Sequence, residues 1–351
     1  MSTPIKKVVV VGGSGLTGGE ITRALLRSGF EVSVLSRASS NAQVPDGARG
    51  IKTDYSHDSL VAAFRGQDAV VSAITTLFVG QQLTIIDAAI EAGVRRFIPS
   101  EYGVDTSDPA VAEIAPPAGT KTEIVAYLKS KQDTGMSWSA IIVGAFFDAI
   151  FDVPGVLGLN LAEKTMTIFD GGDVEFEATN LDQIGRAVAA VLSAEHLDAT
   201  ANQYVYLNSF TLTQNQMLKT LQDLTGNKIQ VQYAKKEDFR KSSQEKIKSD
   251  PDKGDVWVRG SYEGIVLIML NEGGFCEYSK KGLLWNKKLG LPEGNVDETI
   301  KAVLSKKGLL AGGTDTQVME SNVLSWKVLR AWMQLSISDQ AIEGDETGSQ
   351  Y

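Results

Sequence analysis

Four consecutive β-branched residues, Val8 to Val11, stand near the start of the chain with no polar position between them. A run without alternation fits a parallel strand covered on both faces. It is followed by Gly12-Gly13-Ser14-Gly15-Leu16-Thr17-Gly18 and then by a helical stripe of Ile21, Ala24 and Leu25, which Gly29 closes before a second strand at residues 31–36. The same rhythm continues. Residues 50–54 read as a third strand, 59–64 as a short helix, 69–73 as a fourth strand and 82–92 as a helix ending at Gly93; the strand and loop of residues 95–100 come next. A helix at residues 119–132, a strand at 139–143, a helix at 181–192 and a strand at 203–208 extend the pattern. Alternating strands and helices of this kind predict the α/β class: a Rossmann-type doubly wound parallel sheet, here with a smaller α/β substrate lobe. The expected divisions are a nucleotide-binding core at 1–154, a substrate-lobe insertion at 155–175, a return to the central sheet at 176–208, the smaller lobe at 209–310, and a terminal helix with a disordered tail at 311–351.

The glycine turn carries the first chemistry. A pyrophosphate must approach backbone N–H groups at a helix N-terminus, and side chains there would block it. Gly12, Gly15 and Gly18 fit one dinucleotide spacing, and Gly13, Gly15 and Gly18 fit another. With a buried strand before it and an amphipathic helix after it, the whole segment from Gly12 through Gly13, Ser14, Gly15, Leu16 and Thr17 to Gly18 is expected to hold a dinucleotide. The second strand ends in Ser36-Arg37, where an acidic residue would bond the ribose of NAD. The Arg37 guanidinium suits the 2′-phosphate of NADPH instead, the other reading being a solvated loop residue. Right-handed crossovers gather the strand ends on one rim, which adds Ser72, Ala73 and Ser100 to the expected cofactor contacts. Asp54, ending the third strand, is open to two readings, an adenine neighbour or a turn residue.

Composition narrows the remaining classes. A net charge of −9 argues against nonspecific nucleic-acid binding. No apolar run approaches the roughly 18 residues of a membrane span, and the N-terminal residues do not read as a secretory signal. The expectation is a cytoplasmic protein with no membrane or nucleic-acid partner. The single cysteine, Cys276, rules out an intramolecular disulfide. The two histidines, His57 and His196, have no second ligand at a metal-site spacing, so no metal is expected.

Three segments resemble a known family: residues 10–18, the run Arg95-Arg96-Phe97-Ile98-Pro99-Ser100-Glu101-Tyr102-Gly103, and Gly144-Ala145-Phe146-Phe147-Asp148. The chain is similar to the isoflavone reductase, pinoresinol-lariciresinol reductase and phenylcoumaran benzylic ether reductase group with its NmrA-like fungal relatives, which are atypical short-chain dehydrogenases. The similarity extends to about residue 310. Ordinary short-chain dehydrogenases pair a tyrosine with a lysine one helical turn later, and Tyr127 with Lys131 matches that spacing. This pair falls at the far end of its helix, whereas a catalytic pair belongs near the beginning. The resemblance implies instead a lysine early in the helix, Lys121, with Pro117 at the usual tyrosine position. By that resemblance Lys121 would hold the nicotinamide ribose and act as general acid or base. Gly144 and Phe146 would lie beside the nicotinamide, and Phe146 and Phe147 would line the pocket of an aromatic or conjugated small molecule, or serve as plain core. Asp148 is a second acid or a helix cap.

The function so implied is an NADPH-dependent reductase, isoflavone reductase-like, in specialised metabolism. Two alternatives stay open at this stage: an NADP(H)-sensing regulator without turnover, and a redox-neutral isomerase or dehydratase on the same fold. The periodic segment 318–335 would be a helix docking on its own body or on a second subunit, so the chain is expected to be a monomer or a homodimer.

Overall fold

The computed structural model describes residues 3–311; the helix expected at 318–335 and the tail after it lie outside them. The first half alternates as the pattern predicts: β1 Lys7–Val11, α1 Leu16–Arg27, β2 Glu31–Arg37, β3 Arg49–Thr53, α2 His57–Phe64, β4 Ala69–Ser72, α3 Gln82–Glu91, β5 Arg96–Ile98, the short α4 Val111–Ile114, α5 Pro116–Ser130 and β6 Ser137–Ile142. The second half adds β7 Ala145–Phe146, β8 Leu159–Asn160, β9 Thr165–Phe169, β10 Phe176–Thr179, α6 Leu181–Leu192, β11 Gln203–Tyr206, β12 Phe210–Leu212, α7 Gln214–Thr225, β13 Gln230–Ala234, α8 Lys236–Ser249, α9 Asp255–Met269 and α10 Val296–Lys306.

Seven strands form the central sheet in the order β11-β6-β5-β4-β1-β2-β3, every pairing parallel. The order reverses between β1 and β4, the place where doubly wound sheets bind ligands at their strand ends. The run of valines is fully buried because the two faces are used alternately. Val8 and Val10 pack with Ile21 and Leu25 of α1 and Ile184 of α6. Val9 and Val11 pack with Leu60 of α2, Ile85 of α3 and Ile124 of α5 on the other side. Each such side chain contributes about 1.5–3 kcal/mol by burial. Helix α1 stops where Gly29, at φ +83°, lets the N–H of Phe30 reach the carbonyl of Leu25 at 3.1 Å and its own reach Leu26 at 3.0 Å.

The smaller lobe has two three-stranded sheets, β12-β10-β7 and β13-β9-β8. Its core is aromatic: Phe147 meets Phe151 and Phe210 edge to face, with centroids at 5.4 and 4.9 Å. Two expectations need correction here. Residues 176–179 do not return to the central sheet but pair with β7 and β12; the return begins with α6 and is completed by β11. The insertion at 155–175 is not a separate piece either, because its strand β9 pairs with β13 from the segment assigned to the smaller lobe. Helix α9 starts at Asp255, where Asp250 accepts the N–H groups of Val256 and Trp257 at 3.1 and 3.0 Å. Among the described residues no helix is long and apolar enough to cross a membrane, and no three of His, Cys, Asp and Glu are grouped to hold a metal.

Candidate active site

The glycine turn is shaped by contacts that leave no room for Cβ atoms. Gly12 has φ +78°, and a Cβ there would stand 2.7 Å from the carbonyl oxygen of Ala73. A Cβ on Gly18 would stand 2.2 Å from the carbonyl oxygen of Gly12, so α1 begins against the end of β1 with backbone touching backbone. Thr22 locks the turn from within: its hydroxyl lies 3.0 Å from the carbonyl of Gly13 and 2.8 Å from that of Gly18. At the start of α1 Gly15 provides no side-chain cap, so the first N–H groups of the helix are left to another acceptor. An uncapped helix start behind a turn that excludes side chains is what a dinucleotide pyrophosphate requires. An open cleft of about 580 Å³ lies in front of it, walled by Ser14, Gly15 and Leu16 on one side and by residues 43–46 on the other.

Arg37 ends β2 opposite Thr53 of β3, immediately before the loop that contains those residues. Its charge reaches the half-buried Tyr55, where it opposes the rise that burial imposes on the phenol pKa. Asp54 is a turn residue: its carboxylate accepts from the N–H and hydroxyl of Ser56 at 2.9 and 2.8 Å, bonds that hold its pKa down, and Ser56 in turn caps α2.

Further along the rim, Ser72 and Ala73 follow β4 and Ser100 follows β5. The N–H of Ala73 bonds to Val11, which sets β4 against the glycine turn. Ser72 is fully buried, and its hydroxyl has no partner among the described residues. Ser100 is fixed twice, its N–H donating to Gln82 Oε1 at 2.8 Å and its hydroxyl to the carbonyl of Ile74 at 2.7 Å. Gln82, fully buried at the start of α3, is a rim residue that spacing did not single out.

Helix α5 begins at Pro116, three residues before its expected start. Proline lacks the N–H that the first turn leaves unbonded, so Pro116 and Pro117 open the helix rather than block it. Lys121 therefore sits in the second turn and points inward. It is 8% exposed, and Nζ donates to the carbonyl of Glu101 at 2.7 Å. Burial pushes its pKa down, while the Glu101 carboxyl pulls the other way. Tyr127 and Lys131 take no part in this site. The Tyr127 hydroxyl donates to Asp87 of α3 at 2.6 Å, and Lys131 Nζ lies 3.9 Å from the same carboxylate.

The segment after β6 divides its roles. Gly144, at φ +69°, has no space for a Cβ, which would stand 2.2 Å from the carbonyl of Glu177; its N–H bonds to Gly103, in the loop above Lys121. Phe146 keeps partial exposure, but Phe147 is fully enclosed in the smaller lobe's aromatic core. Phe147 is thus corrected from pocket wall to core. Asp148 accepts the N–H of Leu181 through both carboxylate oxygens, at 3.1 and 3.2 Å, and so caps α6; burial raises its pKa to about 6. Cys276 is buried, and its thiol is pushed up to about 12.

Residues 4–250 match the NmrA-like family. The chain is 34% identical over 309 residues to oxidoreductase aprR of Aspergillus flavus, covering 85% of this chain and 98% of that protein. It is 29% identical to isoflavone reductase homolog IRL of Zea mays, over 70% of this chain and 82% of the relative. Among solved structures, AtPrR2 with NADP+ and (+)pinoresinol superposes with a TM-score of 0.67 at 24% identity, covering 86% of this chain and all of the other. An isoflavone reductase crystal structure gives 0.64 at 20%, again over 86% of this chain and 99% of its own.

Proposed function

As a member of the NmrA-like family and an oxidoreductase, the chain has a turnover to explain, and we propose that it is an NADPH-dependent reductase of an aromatic or conjugated small molecule. The observation that carries this reading is the placement of Lys121. A buried ammonium stands beside the strand-end rim that the glycine turn opens, while the literal Tyr127 and Lys131 pair is tied to α3.

NADPH, when bound, supplies a hydride to an electrophilic carbon of the substrate. The main chain from Gly12 to Gly18 would receive the pyrophosphate, since it offers the N–H groups of an uncapped helix start behind a turn with no room for side chains. Arg37 meets the 2′-phosphate. Lys121 holds a proton at Nζ and gives it to the substrate atom on which negative charge gathers, and solvent returns a proton to Nζ afterwards. Its lowered pKa, caused first by burial, makes it a better acid than an exposed lysine. The exposed part of Phe146 offers a flat apolar surface on which an aromatic ring of the substrate would stack. The relatives' names include isoflavone and pinoresinol reductases, whose substrates are of that class.

The test is binding followed by consumption. NADPH fluorescence should rise on mixing with the protein and then decay on addition of the right member of a panel of enones, isoflavones and benzylic ethers. Lys121→Met should still bind NADPH and lose turnover. Binding with no consumption across the panel would point to a sensor or a redox-neutral enzyme instead.

A further inference from the structure

Glu101 is a buried carboxylic acid for which the proposed reaction has no direct use. It is fully enclosed, yet among the described residues only one of its two carboxyl oxygens has a partner, the Thr106 hydroxyl; Oε1 has none. An isolated carboxylate so placed is costly unless a nearby charge compensates it. The compensating charge is Lys121, whose Nζ is held by the main-chain carbonyl of this same residue.

The loop containing Glu101 is fastened on several sides. The Thr122 hydroxyl of α5 donates to the carbonyl of Thr106 at 2.9 Å. The carbonyl of Gly103 accepts from the N–H groups of Val143 and Gly144 at 3.0 and 2.8 Å and from the Tyr278 hydroxyl at 3.4 Å. With this many anchors, the carboxyl is not needed to fix the loop's path. A neutral amide would fill the same volume and still accept from Thr106.

We propose that Glu101 is a positioning residue for Lys121: its carbonyl aims the ammonium, and its sealed carboxylate is the counter-charge that keeps the proton on Nζ. The inference rests on Lys121 being the acid–base group. Burial pushes the Glu101 pKa up and the Lys121 pKa down, and each charge opposes the shift of the other. The other titratable groups facing the pair are Asp105 in the same loop, Tyr102 beside it, and Tyr204 and Tyr206 on β11. All three tyrosines are raised by burial, Tyr206 to about 12, so they stay neutral. Asp105 accepts from the Tyr206 hydroxyl at 3.2 Å, and its charge disfavours that of Glu101. Of these groups, Glu101 is the charge that opposes the fall burial imposes on the Lys121 pKa.

The experiment needs neither cofactor nor substrate. The full chain, isotope-labelled at lysine Cε, is titrated with pH by NMR, and the Lys121 resonance is identified by its disappearance in Lys121→Met. In Glu101→Gln this resonance should titrate at lower pH than in the parent protein, and Glu101→Asp should recover part of the difference. Thr106→Val, which strips the carboxylate of its donor, should shift it the same way by less. An unchanged midpoint in Glu101→Gln would overturn the proposal; where that variant does not fold, an unchanged midpoint in Thr106→Val does so. With a turned-over substrate, the alkaline limb of kcat/KM should move to lower pH in Glu101→Gln while NADPH affinity holds. Full turnover by Lys121→Met would remove the role of the lysine but leave its measured coupling to Glu101 in place, so the two failures are distinct.

Discussion

The two ends of the strand-end rim are built on opposite principles. At the glycine turn the groups proposed to work are main-chain N–H groups, and the turn opens on a cleft of about 580 Å³. At Lys121 the proposed groups are side chains, sealed so that the lysine is 8% exposed and Glu101 not at all. The first end depends on the absence of atoms, since a single methyl on Gly18 would overlap the carbonyl of Gly12. The second depends on a balance of charges in a place where water cannot screen them. Binding and chemistry should therefore fail separately when the ends are altered one at a time.

The sharpest way to break this contrast is Gly18→Ala. It should abolish NADPH binding and cost about 1–3 kcal/mol of stability from overpacking, as read by fluorescence titration and thermal melting. Next is Lys121→Met, which should lower kcat by about 10²–10⁴-fold and weaken NADPH far less than that. If affinity falls as steeply as turnover, the two ends are not independent. Arg37→Ala should weaken NADPH by roughly 1.5–3 kcal/mol, the worth of a bond to a charged group, and leave NADH untouched. Asp148→Asn tests the cap. The folded pKa of about 6 lies above the ordinary 3.8, so the folded chain binds the proton more tightly. The stability this contributes is present below 3.8 and is lost as pH rises through 6. The amide keeps an oxygen for Leu181 and should flatten that decline in urea titrations across the interval. Smallest is Tyr127→Phe, which removes one bond to Asp87; it should cost about 0.5–1.5 kcal/mol and leave turnover alone.

The glycine end was legible in the sequence because its requirements are local. A β-branched run, glycines where Cβ atoms collide, and an apolar helical stripe lie within one stretch, and each has a single physical reason. The lysine end was legible only through resemblance. Its partner Glu101 lies across a loop, and nothing in the spacing of the two residues announces their contact. Local spacing even pointed elsewhere: Tyr127 and Lys131 have the right interval, but the helix turns them toward Asp87. Gln82 escaped notice for the same reason, since its bond to Ser100 joins α3 to the end of β5. Phe176 to Thr179 reads as a strand, but four residues do not say which sheet receives them. Membership is decided by Ala145 and Phe146 on one side and Phe210 to Leu212 on the other. Likewise Phe147 and its neighbour Phe146 are indistinguishable as letters. Only the side of the chain on which each emerges at the end of β7 sends Phe147 into the core and leaves Phe146 partly open.

The pairing of β9 with β13 has a consequence for a chain emerging from the ribosome. Strand β9 is complete at residue 169, but on one side it has only the two-residue β8, and its longer neighbour arrives with residues 230–234. Until then one row of its backbone N–H and carbonyl groups is open to any extended chain nearby. Synthesis meanwhile delivers α6, β11, β12 and α7, and β11 completes the central sheet. A product ending between residues 212 and 230 would thus hold a finished nucleotide-binding sheet beside an adhesive edge. Truncations in that window should accumulate as aggregates through this edge, whereas residues 230–234 close it once they are made.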